Sequence, residues 1–247
     1  MKTISTLRYK NIKVTLTVNW KYKVLSLRVF SLHVKPRCSG KSFRSILNNC
    51  KFGVILGVFE KTIIYFDRPG EENTETVLAL AKKRAEELGI RDIVVASTRG
   101  ETGVKASKVF KGFNLIVVTH HTGFREPGKQ ELTEENRRLI EANGGRIFTG
   151  THVFMNVERA IRNKFNTAYP AEIMAQTLRL FCEGMKVAVE ITAMVADAGL
   201  IPVDRDVISI AGTGKGADTA IVIRPANSTR IFDMVIREII AKPRDRA

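Results

Sequence analysis

Ser97-Thr98-Arg99-Gly100-Glu101-Thr102 sets hydroxyls, a guanidinium and a glycine side by side. If the run opens a helix, free backbone N–H groups there add donors for an anion. Gly100 would let the backbone approach that anion closely, and Arg99 could pair with it in two-pronged fashion. The chemistry this suggests is the holding of a phosphate. A polar strand-to-helix loop with an ordinary cap uses the same residue types, so the two readings compete.

A second loop, Gly212-Thr213-Gly214-Lys215-Gly216, looks like a phosphate cradle. It is not a nucleotide-binding P-loop, because Lys215 is followed by Gly216 where that motif needs Ser or Thr. It suits a hairpin tip or one wall of a shared site. Asp218, next to Thr219, could accept from a ribityl or ribose hydroxyl or simply cap its own turn. His120, His121 and His152 invite a metal, but adjacent side chains on an extended chain point in opposite directions. No carboxylate stands at a familiar ligand spacing, so hydrogen bonding to a ligand or to loop backbone is expected and no metal. No nucleophile–base constellation and no GxSxG occur. Cys182, in an apolar helical stretch, reads as core, and the catalytic residues cannot be named from the sequence.

The elements that must position these loops alternate between strand and helix. Ile93-Val94-Val95-Ala96, Leu115 to Thr119, Arg146 to Thr149 and Val207 to Ala211 read as strands, the first two covered on both faces. Val77, Leu80, Ala81, Ala85 and Leu88 recur at helical spacing before Gly89. Thr133 caps a helix with Glu134 and Glu135 in its first turn. Glu172 to Val195 is helical in pattern, with Gly184 as a break or close-packing point. The strand Ala220 to Ile223 follows a glycine-rich turn and is expected to run antiparallel, and the tail from Ile231 to Ile240 fits either a helix or a strand. Such alternation predicts a parallel sheet with helices on both faces. Ligands then bind beyond the carboxyl ends of the strands. The loops 97–103, 119–128, 149–152 and 212–219 all fall at that edge, bringing Thr119, Phe124, Arg125, Gly150 and Thr151 into the candidate site.

The charge is unevenly spread. The chain of 247 residues carries +15, yet residues 1–59 hold 12 Lys and Arg and no acid before Glu60. The remaining 28 basic residues face all 25 acids, so residues 60–247 are nearly neutral. Residues 1–59 are therefore read as a basic extension, disordered or outside the functional unit, for instance from a start codon assigned too early. A transit peptide and a nucleic-acid arm are the competing readings. The three cysteines form no CxxC pair, which supports neither a disulfide framework nor a zinc site. A reducing cytoplasm is expected. The apolar run Phe52 to Phe59 is far short of the roughly 20 residues of a membrane span, so no membrane partner is expected. A homo-oligomer is compatible with the sequence.

The run Val-Val-Ala-Ser-Thr-Arg-Gly-Glu-Thr with the following helix and Leu-Ile-Val-Val-Thr119 resembles the C-terminal domain of pyruvate kinase. Gly212-Thr-Gly-Lys-Gly-Ala-Asp-Thr219 resembles the Gly-rich hairpin that closes that domain. The similarity is closer still to a group of stand-alone, mostly archaeal proteins with this domain and no catalytic barrel. It rests on Tyr65-Phe66-x-x-Pro69-Gly70-x-x-Asn73-Thr74, Thr119-His120-His121-x-Gly123-Phe124-Arg125, Ala196-Asp197-Ala198-Gly199-Leu200-Ile201-Pro202-Val203 and Gly216-Ala217-Asp218-Thr219. It covers nearly all of residues 61–243.

The resemblance implies a three-layer α/β/α sandwich with a mostly parallel sheet and an antiparallel closing strand. It implies a bound flavin mononucleotide in some members, with no established reaction. Gly214-Lys215 departs from the bulkier residues expected there, so ligand contacts at that point do not carry over. Pyruvate kinase activity is not implied, because the barrel that binds phosphoenolpyruvate and metals is missing. The expected function is binding of a phosphorylated small molecule, flavin mononucleotide first. The phosphate would sit on 97–103 and the ring among His120, His121, Phe124 and His152. The alternative is a non-catalytic sensor of a sugar phosphate, and nucleic-acid binding through the basic arm ranks last.

Overall fold

The computed structural model describes residues 2–9, 12–19, 24–30 and 60–245. The chain divides into two compact units, Met1–Phe59 and Glu60–Ala247. In the first, β1 (Lys2–Tyr9), β2 (Ile12–Asn19) and β3 (Val24–Phe30) form an antiparallel meander in the order β1-β2-β3. The alternation of Ile12, Val14, Leu16 and Val18 with polar residues is a strand period, and three adjacent segments let it pair. Cys38, Cys50 and the run Phe52 to Phe59 lie outside the described residues.

The second unit is built on continuous apolar strands. Ile93, Val94 and Val95 are all fully buried, as are Ile116 and Val117 on the neighbouring strand, which requires cover on both faces. The elements are β4 (Ile64–Phe66), α1 (Thr74–Leu88), β5 (Asp92–Ala96), α2 (Glu101–Val109), β6 (Asn114–Thr119), α3 (Glu134–Ala142) and β7 (Arg146–Thr149). They continue with α4 (Val157–Phe165), α5 (Pro170–Arg179), α6 (Glu183–Asp197), β8 (Val207–Ala211), β9 (Thr219–Arg224) and β10 (Val235–Pro243). The seven strands lie in the order β4-β10-β9-β8-β5-β6-β7. All run in one direction except β9, which is antiparallel to both β8 and β10.

Strand periodicity divides the core into two layers. Ile93, Val95, Val117, Ile208 and Val222 face α1, α2 and α3. Val94, Ile116, Ile221 and Ile223 face α5 and α6. The result is the expected α/β/α sandwich. The expected antiparallel strand is β9, and the tail resolves as strand β10, which rejoins the parallel direction beyond it. Two parts of the helical reading change. The segment from Glu172 to Val195 is two helices, broken at Leu180 to Cys182 rather than at Gly184. Gly184 is instead a packing point, since a Cβ there would lie 2.2 Å from Thr219 Oγ1. Helix α4 adds a further element, opening at Asn156 with φ 59°. No helix among the described residues is long and apolar enough to cross a membrane.

Candidate functional site

The carboxyl ends of β5, β6, β7 and β8 open onto one cleft of about 820 Å³, within the usual range of small-molecule sites, roughly 300–1,000 Å³. Its floor is Ala96, Val118 and Thr119. Thr119 is buried, its Oγ1 2.6 Å from Thr149 Oγ1.

Ser97, Thr98, Arg99, Glu101 and Thr102 form one end of the cleft. The helix that follows, α2, begins at Glu101, so this loop does join a buried strand to a helix N-terminus. The Ser97 hydroxyl accepts from the amide of Gly103 at 3.0 Å and so caps the helix. Among the described residues, the amides of Glu101 and Thr102 have no acceptor. Arg99 is 68% exposed, and its Nε stands 3.9 Å from Glu101 Oε1, a loose pairing that leaves it able to reach a ligand. Gly100 has a different role from the one expected. Its φ is 108°, and a Cβ would lie 2.4 Å from Asn136 Cβ and 2.8 Å from Leu132 Cδ1. The glycine lets α3 dock against the loop, and it does not line the cleft.

Gly212, Gly214, Lys215 and Gly216 supply the adjacent wall. Lys215 donates to Glu71 at 2.8 Å, and this hydrogen bond holds its ammonium pKa above the ordinary lysine value. Glu101 and Arg99 also act on Lys215, which places the two loops within electrostatic reach of each other. Asp218, Thr213 and Thr219 stand behind this wall rather than on it. The buried Asp218 carboxylate accepts from the amides of Gly70 and Thr213, both at 3.2 Å, and from Thr219 Oγ1 at 2.7 Å. These contacts are the turn-capping ones among its two expected roles.

His120, Phe124 and His152 line the same cleft. His120 stacks on Phe124 with ring centroids 3.8 Å apart, and His152 lies 5.6 Å from His120 and 5.7 Å from Phe124. Each cleft histidine has its own carboxylate. His120 Nδ1 is 2.7 Å from Glu131 Oε2, while Glu131 Oε1 meets Arg125 Nε at 3.1 Å. His120 Nε2 lies 3.4 Å from Thr98 Oγ1, which ties this loop to the phosphate-type loop. Burial lowers the His120 pKa against the opposing pull of Glu131. His121 faces away into a smaller hollow lined by Asn156 and Arg159, so the adjacent histidines do diverge. Its pKa is also lowered, first by burial and then by His152 and His120. Gly150 and Thr151 do not line the cleft. A Cβ on Gly150 would lie 2.5 Å from the Phe148 ring. Among the described residues, no three His, Cys, Asp or Glu side chains gather as metal ligands.

The remaining wall, from α4 to α6, was not legible as a site in the sequence. Lys186 and Glu190 are 2% and 1% exposed, with Lys186 Nζ 2.5 Å from Glu190 Oε2. Glu190 also lies 3.3 Å from His152 Nδ1 and accepts from the Phe154 amide at 3.0 Å. Burial alone would raise its carboxyl pKa. The hydrogen bond with His152 and the charge of Lys186 outweigh that and hold it near about 2. The available signal was two charges four residues apart inside the apolar run Met185 to Ile191. Arg162 pairs with Glu172 at 3.1 Å and Arg179 with Glu183 at 2.6 Å along the rim. Arg159 has no carboxylate partner among the described residues and stands over the Phe124 ring, 5.3 Å from its centroid.

The family model described as pyruvate kinase, alpha/beta domain, matches residues 75–223, more than half of the chain, and includes β5 to β9 and the loops that line the cleft. The chain therefore belongs to the pyruvate kinase alpha/beta domain family.

Proposed function

We propose that this cleft binds a phosphorylated small molecule, with flavin mononucleotide as the favoured occupant. The observation that carries the reading is the chemical division of one cleft into two ends. At one end, the unpartnered amides of Glu101 and Thr102 adjoin Thr98, the loosely held Arg99 and Lys215. That donor set fits a dianionic phosphate at a helix N-terminus. At the other, Phe124, His120 and His152 offer ring faces and ring nitrogens suited to a planar heterocycle. Polar side chains that also line the cleft, Gln176, Arg179 and Glu183, suit a hydroxylated linker.

The residues present thus fit the phosphate, linker and ring of flavin mononucleotide. When bound, the flavin would supply hydride or single-electron transfer. The chain's own contribution is to hold the phosphate on α2, to wall the ring with Phe124 and His120, and to keep charged groups paired around it. The second reading is a sensor of a sugar phosphate, and the same polar α5–α6 wall favours it.

Absorbance and fluorescence titration of the purified chain with flavin mononucleotide separates the two. Quenched flavin fluorescence with a saturable isotherm is expected. A chain that neither carries nor takes up flavin, yet gains thermal stability from a sugar phosphate, would replace the first reading with the second.

A further inference from the structure

His152 is 7% exposed, lines the cleft, and has one ring nitrogen without a partner. Its Nδ1 faces the Glu190 carboxylate at 3.3 Å. A carboxylate only accepts, so in the neutral ring the proton sits on Nδ1 and Nε2 carries the lone pair. No donor among the described residues reaches Nε2. A buried acceptor left without a donor costs free energy, and native folds rarely tolerate one without a reason. The orienting carboxylate is itself held from three sides, by Lys186, His152 and the Phe154 amide. A buried ion pair such as Lys186–Glu190 is a poor source of stability compared with apolar packing. Its clear effect here is to fix the tautomer and the angle of one imidazole.

We propose that Nε2 of His152 accepts a hydrogen bond from a ring N–H of the bound ligand, so that the site selects planar heterocycles carrying an imide or lactam N–H. This rests on reading the cleft as the phosphorylated-ligand site. The position of His152 supports the ring rather than the linker as the donor, since its neighbours are the Phe124 and His120 rings. Lys186 and Glu190 are positioning residues that act through His152.

The test compares flavin mononucleotide with its N3-methyl analogue, which keeps the phosphate, the linker and the ring but lacks the imide proton. With the full chain, the analogue is expected to bind about tenfold more weakly, the loss typical of one buried hydrogen bond. His152→Phe is expected to bind both ligands equally, and His152→Gln, which restores an acceptor, to recover part of the preference. Imidazole nitrogen NMR on the wild type is expected to show Nδ1 protonated, with Nε2 moving upfield when flavin mononucleotide binds. Equal affinity of the wild type for both ligands would overturn the proposal while leaving the cleft reading intact; Nε2 would then be met by water. Absence of any binding of flavin mononucleotide would overturn both. The analogue comparison needs no variant, so misfolding of His152→Phe would not blunt it.

Discussion

Glu190 Oε2 lies 3.3 Å from His152 Nδ1 and 2.5 Å from Lys186 Nζ, so one buried oxygen binds both a lysine and a histidine. The arrangement spans α6 and the loop after β7. It fastens the helical layer to the sheet edge where ligands are expected.

A carboxyl held at about 2, against 4.5 as its ordinary value, contributes stability that is fully present above pH 4.5. That contribution is lost as pH falls from 4.5 towards 2, because the unfolded chain takes up the proton first. A thermal-denaturation series over that window should show a falling midpoint in the wild type and a flatter one in Glu190→Gln. At neutral pH the variant should lose about 3–5 kcal/mol, since Lys186 is left buried without its counter-ion. The paired change Lys186→Met with Glu190→Leu should recover much of that loss.

His120 and His121 respond in a different window. Both have pKa values below 6.5, chiefly from burial. A histidine depressed in the folded state favours folding above its unfolded value and loses that advantage as pH falls below about 6.5. His120→Gln should reduce the loss of stability between pH 6.5 and 5, measured by urea denaturation at fixed pH. An unchanged slope would mean that His120 protonates without penalty.

Arg99→Ala should weaken binding of flavin mononucleotide by about tenfold or more, the scale of a charge-assisted phosphate contact. Because Arg99 is exposed and only loosely paired, the melting temperature without ligand should stay within about 2 °C. Retained affinity in a titration of the variant would remove Arg99 from the phosphate end.

Two glycines can be tested for packing. Gly100→Ala combines a φ of 108° with a Cβ placed 2.4 Å from Asn136 Cβ. Gly184→Ala places a Cβ 2.2 Å from Thr219 Oγ1. Each should cost about 1–3 kcal/mol, which at about 2–4 °C per kcal/mol is visible in a thermal scan. Gly100→Ala should also loosen α3, readable as faster amide exchange near Asn136.

The sheet and the phosphate-type loop were legible because their signals are local. Ile93 to Ala96 and Leu115 to Val118 carry the uninterrupted apolar run of a covered strand, and each ends in Ser, Thr or His. What was not legible depends on distant partners. Nothing near Asp218 announces that it would bind the Gly70 amide, 148 residues away. Gly100 looks like a residue for anion approach until α3 is seen to occupy its open side. Glu131 and Glu190 became site residues only because tertiary packing set them against His120 and His152.

The placement of β10 has a consequence for how the domain is made. Within the seven-stranded sheet β4 precedes every other strand along the chain, yet its partner is β10, which follows them all. Until β10 arrives, one edge of β9 also lacks its partner, and an open strand edge invites pairing with other chains. The loops of the cleft are all complete before that moment, but the sheet beneath them is not. A chain lacking the residues from Val235 onward would therefore leave this sheet open and would be the aggregation-prone species.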